Sequence, residues 1–162
     1  MRVSGEREIE EGPPRTVALE NALRKARAVA RPGAPELVIG CDTIVVLDGR
    51  IYGKPADERE AAATIRALAG RTQQVISGLA VLVGGEERTA VATTEVTFRP
   101  AGEELVAWYV GTGEWRERSG GYAIQGAGSR LVERIDGEVE NVVGLPLGTL
   151  LELAPELRAP SR

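Results

Sequence analysis

The sequence contains no histidine. Serine and cysteine hydrolases that depend on a histidine base are therefore excluded, and so is every metal site with histidine ligands. The single cysteine, Cys41, excludes an internal disulfide and agrees with a cytoplasmic location. Carboxylates, lysine, tyrosine and hydroxyl groups remain as the side chains that can carry chemistry.

Long apolar runs and basic clusters are also missing. No apolar run reaches about 18 residues, the length that a transmembrane helix requires. The first residues lack the charged and apolar regions of a signal peptide. The formal net charge is −4, and lysine and arginine do not cluster among aromatics. We therefore predict a cytoplasmic protein that has neither a membrane nor a nucleic acid as its partner.

The composition that is present is that of an ordinary globular domain. The chain has 162 residues, of which 43% are hydrophobic and 27% are charged. A chain of this length can bury one core. We predict a single domain over residues 1–155, followed by a tail at 156–162.

Apolar periodicity and turn residues predict that strands and helices alternate. Strands are predicted at 2–10, 37–47, Arg50–Tyr52, Thr72–Val83, Arg88–Phe98, Tyr122–Gln125 and Arg130–Ile135. One helix is predicted from a Thr16 N-cap to Pro32-Gly33, and a second from an Asp57/Glu60 capping box to Gly70. A third is predicted over Glu103–Val110, with Leu105, Trp108 and Tyr109 as its apolar face. A fourth is predicted over Leu145–Leu153. Asp48-Gly49 and Gly84-Gly85 mark two hairpins. This mixture predicts an α/β fold, with a mixed twisted sheet flanked by helices.

Asp42 is the most informative residue, because it is an acid within an apolar strand. Strand side chains alternate, so Asp42 shares one face with Val38, Gly40, Ile44 and Val46. An unpaired carboxylate there would cost several kcal/mol, so a metal ion, a cation or solvent in a cleft must meet it. Lys54 is the nearest lysine in sequence, and a core arginine is the structural alternative. A strand carboxylate near a lysine indicates chemistry on an anionic ligand.

The remaining candidates have simpler structural interpretations beside them. Thr43 points to the face opposite Asp42 and flanks any ligand there. The glycines of Gly120–Gly128 permit close approach of a ligand, or they serve a tight turn. Glu11 lies in a proline-rich turn, where solvated surface is the default. The chain contains neither a P-loop nor a dinucleotide-binding fingerprint.

Together, several separate segments resemble the Maf (septum-formation inhibitor-like) family of nucleotide pyrophosphatases. The resemblance covers nearly the whole chain, and its motifs occur in the family's order. They are Ile9-Glu10-Glu11, Asn21-Ala22-Leu23-Arg24-Lys25-Ala26, Cys41-Asp42-Thr43-Ile44-Val45, Gly53-Lys54-Pro55, Ser77-Gly78, Gly120-Gly121-Tyr122-Ala123-Ile124-Gln125-Gly126 and Asn141-Val142-Val143-Gly144-Leu145-Pro146-Leu147.

The resemblance implies a fold related to the inosine triphosphatase type, and metal-dependent cleavage of a nucleoside triphosphate to the monophosphate and pyrophosphate. On this basis Asp42 matches the family's proton acceptor and a metal ligand. Thr43 and Gln125 match positions tied to substrate choice. Lys54 matches the lysine that faces the phosphates, and Glu11 an acidic residue near the metal.

The expected chemistry agrees with this resemblance. Water attack on the α-phosphorus requires a base, and an oxygen-donor site without histidine or thiolate suits Mg²⁺ or Mn²⁺. Gln125 presents a donor and an acceptor that match the O4 and N3–H edge of thymine or uracil. The Tyr122-Ala123-Ile124-Gln125 motif is similar to the branch that acts on dTTP and UTP, rather than on modified guanine nucleotides.

The chain also departs from the family pattern. The family's first strand, its Ser-Pro-Arg-Arg loop and the following helix have no counterpart here, so the fold is expected to lack them. Arg118-Ser119 stands where the family usually has Lys-Ala, and Gln73-Gln74 where a histidine often lies. A catalytically impaired nucleotide-binding protein and a structural partner in cell division are the alternative functions. The resemblance also implies a homodimer.

Overall fold

A five-stranded sheet forms the centre of the fold, and each pairing between its strands is antiparallel. The computed structural model describes residues 8–31, 33 and 36–158. The strands are β1 (Val38–Leu47), β2 (Arg50–Tyr52), β3 (Thr72–Val83), β4 (Glu86–Phe98) and β5 (Val132–Asp136). They lie in the spatial order β2-β1-β3-β4-β5. The helices are α1 (Pro14–Val29), α2 (Glu58–Leu68), α3 (Glu103–Gly111), α4 (Val139–Val143) and α5 (Leu147–Leu153), with 3₁₀ turns at Ser119–Gly121, Ala127–Arg130 and Pro155–Leu157.

Two tight hairpins fix the register of the central strands. Asp48 and Gly49 both have positive φ angles, 51° and 77°, as a type I′ turn requires. Gly84 and Gly85 join β3 to β4 in the same way, with φ angles of 57° and 85°. Both hairpins are confirmed, because local turn chemistry decides them.

Helix α1 packs very closely on β1 and β3. Its contact face is built from alanine, since Ala18, Ala22 and Ala26 are fully buried. A Cβ atom on Gly40 would overlap the carbonyl oxygen of Ala22, and one on Gly78 would overlap that of Ala18. Only glycine permits this approach. The backbone of α1 is therefore near enough to the sheet for its polar side chains to reach β1.

The other face of the sheet carries the larger apolar layer. Side chains from β1, β3 and β4 meet α2 and α3 there, and the largest buried ones are Tyr109, Phe98, Ile65 and Leu68. Burial of a side chain of this size contributes about 1.5–3 kcal/mol relative to exposure. This layer therefore holds the sheet and these two helices together.

The helix ends follow the predicted caps in part. Asp57 caps α2, because its Oδ1 accepts a hydrogen bond from the backbone N–H of Glu60 at 2.8 Å. Gly70, with a φ of 68°, follows the end of that helix as predicted. The predicted Thr16 N-cap is wrong, since α1 begins at Pro14. A proline lacks the N–H that would be unpaired in a first turn, and its φ angle suits a helix.

The chain after α3 differs from the prediction in three places, the first being that the strand predicted at Arg130–Ile135 begins at Val132. Tyr122–Gln125 forms a turn and not a strand, because Gly120 and Gly121 reverse the chain at φ angles of 67° and 70°. The helix predicted over Leu145–Leu153 begins two residues later. The backbone of Gly144, at a φ of 121°, separates it from the unpredicted α4.

The predicted apolar face of α3 is confirmed for Tyr109 and Leu105, which contact the core, but it is wrong for Trp108. Val106, Tyr109 and Val110 face the core. Trp108 is 41% exposed, and the guanidinium of Arg130 lies over its ring at 4.5 Å from the centroid. A cation–π contact of this kind accounts for an aromatic side chain at the surface.

The two ends of the chain are only partly described. Residues 2–7 of the predicted strand at 2–10 lie outside the described residues, and 8–10 are irregular. The predicted tail includes part of the 3₁₀ turn Pro155–Leu157, and 159–162 also lie outside the described part. Within the described part of the chain, no helix combines the length and the apolar character needed to cross a bilayer.

Candidate active site

Asp42 is an acidic side chain in the middle of a buried strand, and only 6% of it is exposed. Its Oδ1 accepts a hydrogen bond from Nζ of Lys25 at 2.5 Å, and its Oδ2 accepts one from Nδ2 of Asn21 at 3.2 Å. Both partners lie on α1 four residues apart, so they share the face that meets the strand. Of the partners that the sequence left open for Asp42, the structure has a cation, Lys25, and neither Lys54 nor a core arginine takes that position.

The segment before α1 adds a second carboxylate. The Asn21 side chain pairs with the backbone of Ile9, accepting from its N–H at 2.7 Å and donating to its carbonyl at 3.0 Å. This pairing holds Glu8 beside Lys25, with Oε1 2.7 Å from Nζ. Nζ of Lys54 lies 3.9 Å from Oε2 of Glu8. We call this group the charged cluster: it consists of Glu8, Asn21, Lys25 and Asp42, and Lys54 lies at its edge.

The ion pairs of the charged cluster determine its protonation. Burial alone would lower the pKa of the Lys25 amine, but hydrogen bonds to Asp42 and Glu8 outweigh burial and raise that pKa above its ordinary value. Burial would raise the pKa of Glu8, yet the hydrogen bond from Lys25 and the charges of Lys25 and Lys54 hold it below its ordinary value. Lys25 is therefore a cation, and Glu8 an anion, at neutral pH.

Sequence reasoning did not include Lys25 or Glu8 among the site residues. A signal for Lys25 was present, because Asn21 and Lys25 are four residues apart and adjoin the alanine face of α1. Glu8 had no such signal, since its position depends on the pairing of Asn21 with Ile9. Glu11, the predicted metal ligand, is exposed and lies outside the charged cluster.

Thr43 points to the opposite face of β1 and lines a pocket of about 160 Å³. Gln125 lines the same pocket, so the structure brings together the two residues that sequence reasoning tied to substrate choice. Oγ1 of Thr43 lies 2.7 Å from Oγ of Ser77, and the hydroxyl of Ser119 donates to the Thr43 carbonyl at 2.9 Å. The term loop pocket is used below for this space, whose polar lining is Thr43, Glu117, Arg118, Ser119 and Gln125.

The charged cluster and the loop pocket meet at the outer edge of β1. Strand β2 pairs only with Val45–Leu47, and among the described strands none pairs with the earlier part of β1 on that side. The N–H of Gly120 donates to the Gly53 carbonyl at 3.0 Å, so the loop and the segment after β2 meet there. Asp42 on one face of the sheet and Thr43 on the other are therefore consecutive residues at this edge.

Comparison with known proteins decides the family. A family model described as Maf-like protein matches residues 2–157. The chain belongs to the Maf-like protein family. This confirms the resemblance predicted from the motifs, and with it the α/β fold in which helices flank the sheet.

Several relatives of this Maf-like chain carry the name dTTP/UTP pyrophosphatase. Those from Deinococcus radiodurans and Pyrococcus furiosus are 45% and 40% identical to it over 152 and 148 residues. These alignments cover 93% and 91% of this chain and 78% of each relative. A relative of the same name from Symbiobacterium thermophilum is 46% identical over 141 residues, which is 86% of this chain and 72% of the relative.

The Maf-like chain offers oxygen donors for a metal ion. Within the described residues, no three histidine, cysteine or acidic side chains converge. Asp42 and Glu8 present carboxylate oxygens on either side of Lys25. Mg²⁺ is commonly held by one or two carboxylates together with substrate phosphates, so these donors fit a metal that is bound with a nucleotide.

Proposed function

We propose that this Maf-like protein is a nucleoside triphosphate pyrophosphatase that converts dTTP and UTP to the monophosphate and pyrophosphate. The observation that carries the proposal is that the charged cluster and the loop pocket begin at consecutive residues of β1. Asp42 belongs to the charged cluster, and Thr43 belongs to the loop pocket. The names of the relatives support this choice of reaction and substrates.

Asp42 is the general base in this proposal. A water molecule attacks the α-phosphorus, and its proton passes to the Asp42 carboxylate. The new bond forms between the water oxygen and the α-phosphorus, while the bond from that phosphorus to the bridging oxygen breaks and pyrophosphate leaves. Lys25 and Asn21 hold one carboxylate oxygen each, so the base is oriented before the substrate binds. A positioned base contributes about 10²–10⁴-fold to the rate.

A positive charge from Lys54 offsets part of the charge of the phosphates. Lys25 is held between two carboxylates that balance its charge, whereas Lys54 is exposed at the edge of the charged cluster. Asp42 and Glu8 would hold Mg²⁺ or Mn²⁺ together with phosphate oxygens, and the bound metal would polarise the phosphoryl group. In this proposal Glu8 takes the part that the sequence interpretation gave to Glu11, because Glu8 is the acid in the charged cluster.

The loop pocket suits a pyrimidine base. A volume of about 160 Å³ accommodates the single ring of a pyrimidine. The side-chain amide of Gln125 offers a donor and an acceptor for N3–H and O4 of uracil or thymine. Since cytosine reverses this pattern, its rejection requires that Gln125 be held in one orientation.

Pyrophosphate release tests the proposal directly. The full chain is assayed with dTTP, UTP, CTP, GTP and ATP in the presence of Mg²⁺ or Mn²⁺, beside Asp42→Asn and the control Asp136→Asn. Asp136 is exposed on β5. We expect turnover of dTTP and UTP that falls by about 10²–10⁴-fold in Asp42→Asn and is unchanged in the control.

Two outcomes would contradict the proposal. Equal turnover in Asp42→Asn would remove Asp42 as the base. Nucleotide binding without any turnover would favour the alternative of a catalytically impaired nucleotide-binding or cell-division regulatory protein. Homodimer formation and a cytoplasmic location stay predictions, and analytical ultracentrifugation of the full chain would measure the first.

A further inference from the structure

Gln125 lies in a loop that has no regular secondary structure of its own. It is exposed in the turn that leads to the 3₁₀ turn Ala127–Arg130. Its position therefore depends on what holds the backbone on either side, and not on burial of its own side chain. The loop backbone is held at two points.

The first point is the start of the loop. The hydroxyl of Tyr109, which is fully buried on α3, donates to the Gly121 carbonyl at 2.9 Å. Burial and the nearby Glu114 carboxylate raise the pKa of Tyr109, so this hydroxyl keeps its proton. The loop is thus tied to α3 four residues before Gln125.

The second point lies directly after Gln125, where the carboxylate of Glu114 binds the loop backbone. Its Oε1 accepts a hydrogen bond from the N–H of Ala127 at 3.1 Å, and its Oε2 accepts one from the N–H of Gly128 at 2.7 Å. A Cβ atom on Gly126 would overlap Oε1, so the backbone wraps closely around this carboxylate. Hydrogen bonds from backbone N–H groups to a charged acceptor are stronger than neutral ones.

Glu114 is itself held in place. It is half-buried in the turn after α3, and its N–H donates to the Thr112 hydroxyl at 3.2 Å. The next residue, Trp115, is buried, and its Nε1 donates to the Val110 carbonyl at 3.1 Å. Glu114 therefore connects a rigid turn to the part of the loop that follows Gln125.

We infer that Glu114 is a positioning residue for base selection, which acts by holding the backbone next to Gln125 against the loop pocket. This inference rests on the proposed function, in which Gln125 contacts the base. Replacing one carboxylate oxygen by an NH₂ group places a donor against a backbone donor. Glu114→Gln should therefore free Ala127 or Gly128 from its partner and loosen the loop, while the charged cluster on the other face of the sheet stays intact.

The test joins a structural readout to a selectivity readout. Hydrogen exchange measured by NMR reports the amides of Ala127 and Gly128 without any nucleotide. Calorimetry with non-hydrolysable UTP and CTP analogues reports the ratio of their dissociation constants, and pyrophosphate release reports kcat and KM. In Glu114→Gln we expect faster exchange at both amides, a fall of about tenfold in the preference for UTP over CTP, a higher KM for UTP and little change in kcat.

Two control variants separate loop positioning from general damage. Glu133→Gln removes an exposed charge on β5 and should change neither readout. Asp57→Ala removes the cap of α2, so it should lower stability without altering base preference. A loss of preference in Asp57→Ala as large as in Glu114→Gln would contradict a specific role for Glu114.

Failure of the inference and failure of the proposed function give different results. If hydrogen exchange accelerates in Glu114→Gln but base preference stays the same, the inference is overturned and the proposed enzyme activity is not affected. Selective binding of the UTP analogue without turnover, lost in Glu114→Gln, overturns the enzyme and supports the inference. A wild-type chain that binds both analogues equally overturns the inference together with the pyrimidine selection on which it rests.

Discussion

The charged cluster and the loop pocket begin at neighbouring residues of β1 but are built in different ways. The cluster depends on a long helix whose alanines pack on glycines of the sheet, and on ion pairs around Lys25. The pocket depends on hydroxyl contacts and on a loop that Tyr109 and Glu114 hold. Asp42, Asn21 and Lys25 thus lie on regular elements, whereas Gln125, which is proposed to contact the base, lies on a loop. Changes on one face of the sheet can therefore be separated from changes on the other.

The largest expected effect is on the charged cluster, through the packing of α1 on the sheet. In Gly78→Ala the new Cβ would overlap backbone atoms of Ala18 and Leu19, which cannot move without the helix. Gly78 lies opposite Asp42 in the sheet, so displacement of α1 would also separate Lys25 from Asp42. We expect the free energy of unfolding in urea to fall by about 3 kcal/mol or more. Turnover should fall with it.

A matched glycine variant is the control for this loss. Gly111 ends α3, and a Cβ atom there would meet nothing within 4 Å. Gly111→Ala should leave stability unchanged or raise it slightly, because glycine costs more conformational entropy in a helix than alanine does. Equal stability of Gly78→Ala and Gly111→Ala would show that close packing of α1 does not hold the cluster.

Local features made much of this architecture predictable. The hairpins at Asp48-Gly49 and Gly84-Gly85 follow from turn residues, and the cap at Asp57 follows from its spacing to Glu60. Asp42 stood out because an acid within an apolar strand must have a partner. Each of these inferences needed only a few neighbouring residues.

The remaining features depend on contacts between residues distant in sequence. Asp42 is paired with Lys25 because α1 packs over β1, and Glu8 joins them because Asn21 pairs with the backbone near it. The β-prone residues at Tyr122–Gln125 form a turn, which lies between the backbone contacts of Tyr109 and those of Glu114. Strand propensity is weak against such tertiary contacts.

A smaller effect is expected on the loop-pocket side. Ser77 is fully buried, and its hydroxyl lies 2.7 Å from that of Thr43. Ser77→Ala leaves the Thr43 hydroxyl without this partner, so we expect a loss of about 1 kcal/mol in the free energy of unfolding. Base preference should change, whereas kcat for UTP should be nearly retained, because Asp42 lies on the other face. Urea unfolding and nucleotide competition assays measure the two effects.

An exposed pair of hydroxyls provides the control for Ser77→Ala. Oγ1 of Thr72 on β3 lies 2.9 Å from Oγ1 of Thr97 on β4. Thr72→Ala should cost less stability, because water replaces the lost hydrogen bond, and it should leave base preference unchanged. If Ser77→Ala lowered kcat without changing base preference, this would contradict the conclusion that the charged cluster and the loop pocket act separately.

The smallest expected effect concerns Glu8, the more exposed of the two acids in the charged cluster. The pKa of Glu8 is lowered in the folded protein, since its attraction to Lys25 and Lys54 outweighs burial. Its ion pairs therefore add stability above the ordinary carboxyl pKa, and this contribution is lost as the pH falls through the lowered folded value. The difference in unfolding free energy between wild type and Glu8→Gln should be constant near neutral pH and should disappear in acid. Because Glu8 is more than a third exposed, the difference is small.

Glu11→Gln is the comparison that tells which acid is ion-paired to Lys25. Glu11 is exposed and lies outside the charged cluster, so its substitution removes none of the ion pairs of Lys25. Urea unfolding of the three proteins between neutral and acid pH measures this directly. If Glu11→Gln alone loses the pH-dependent contribution, Glu11 and not Glu8 carries the stabilising ion pair. If Glu8→Gln alone loses it, the contact of Glu8 with Lys25 carries that contribution.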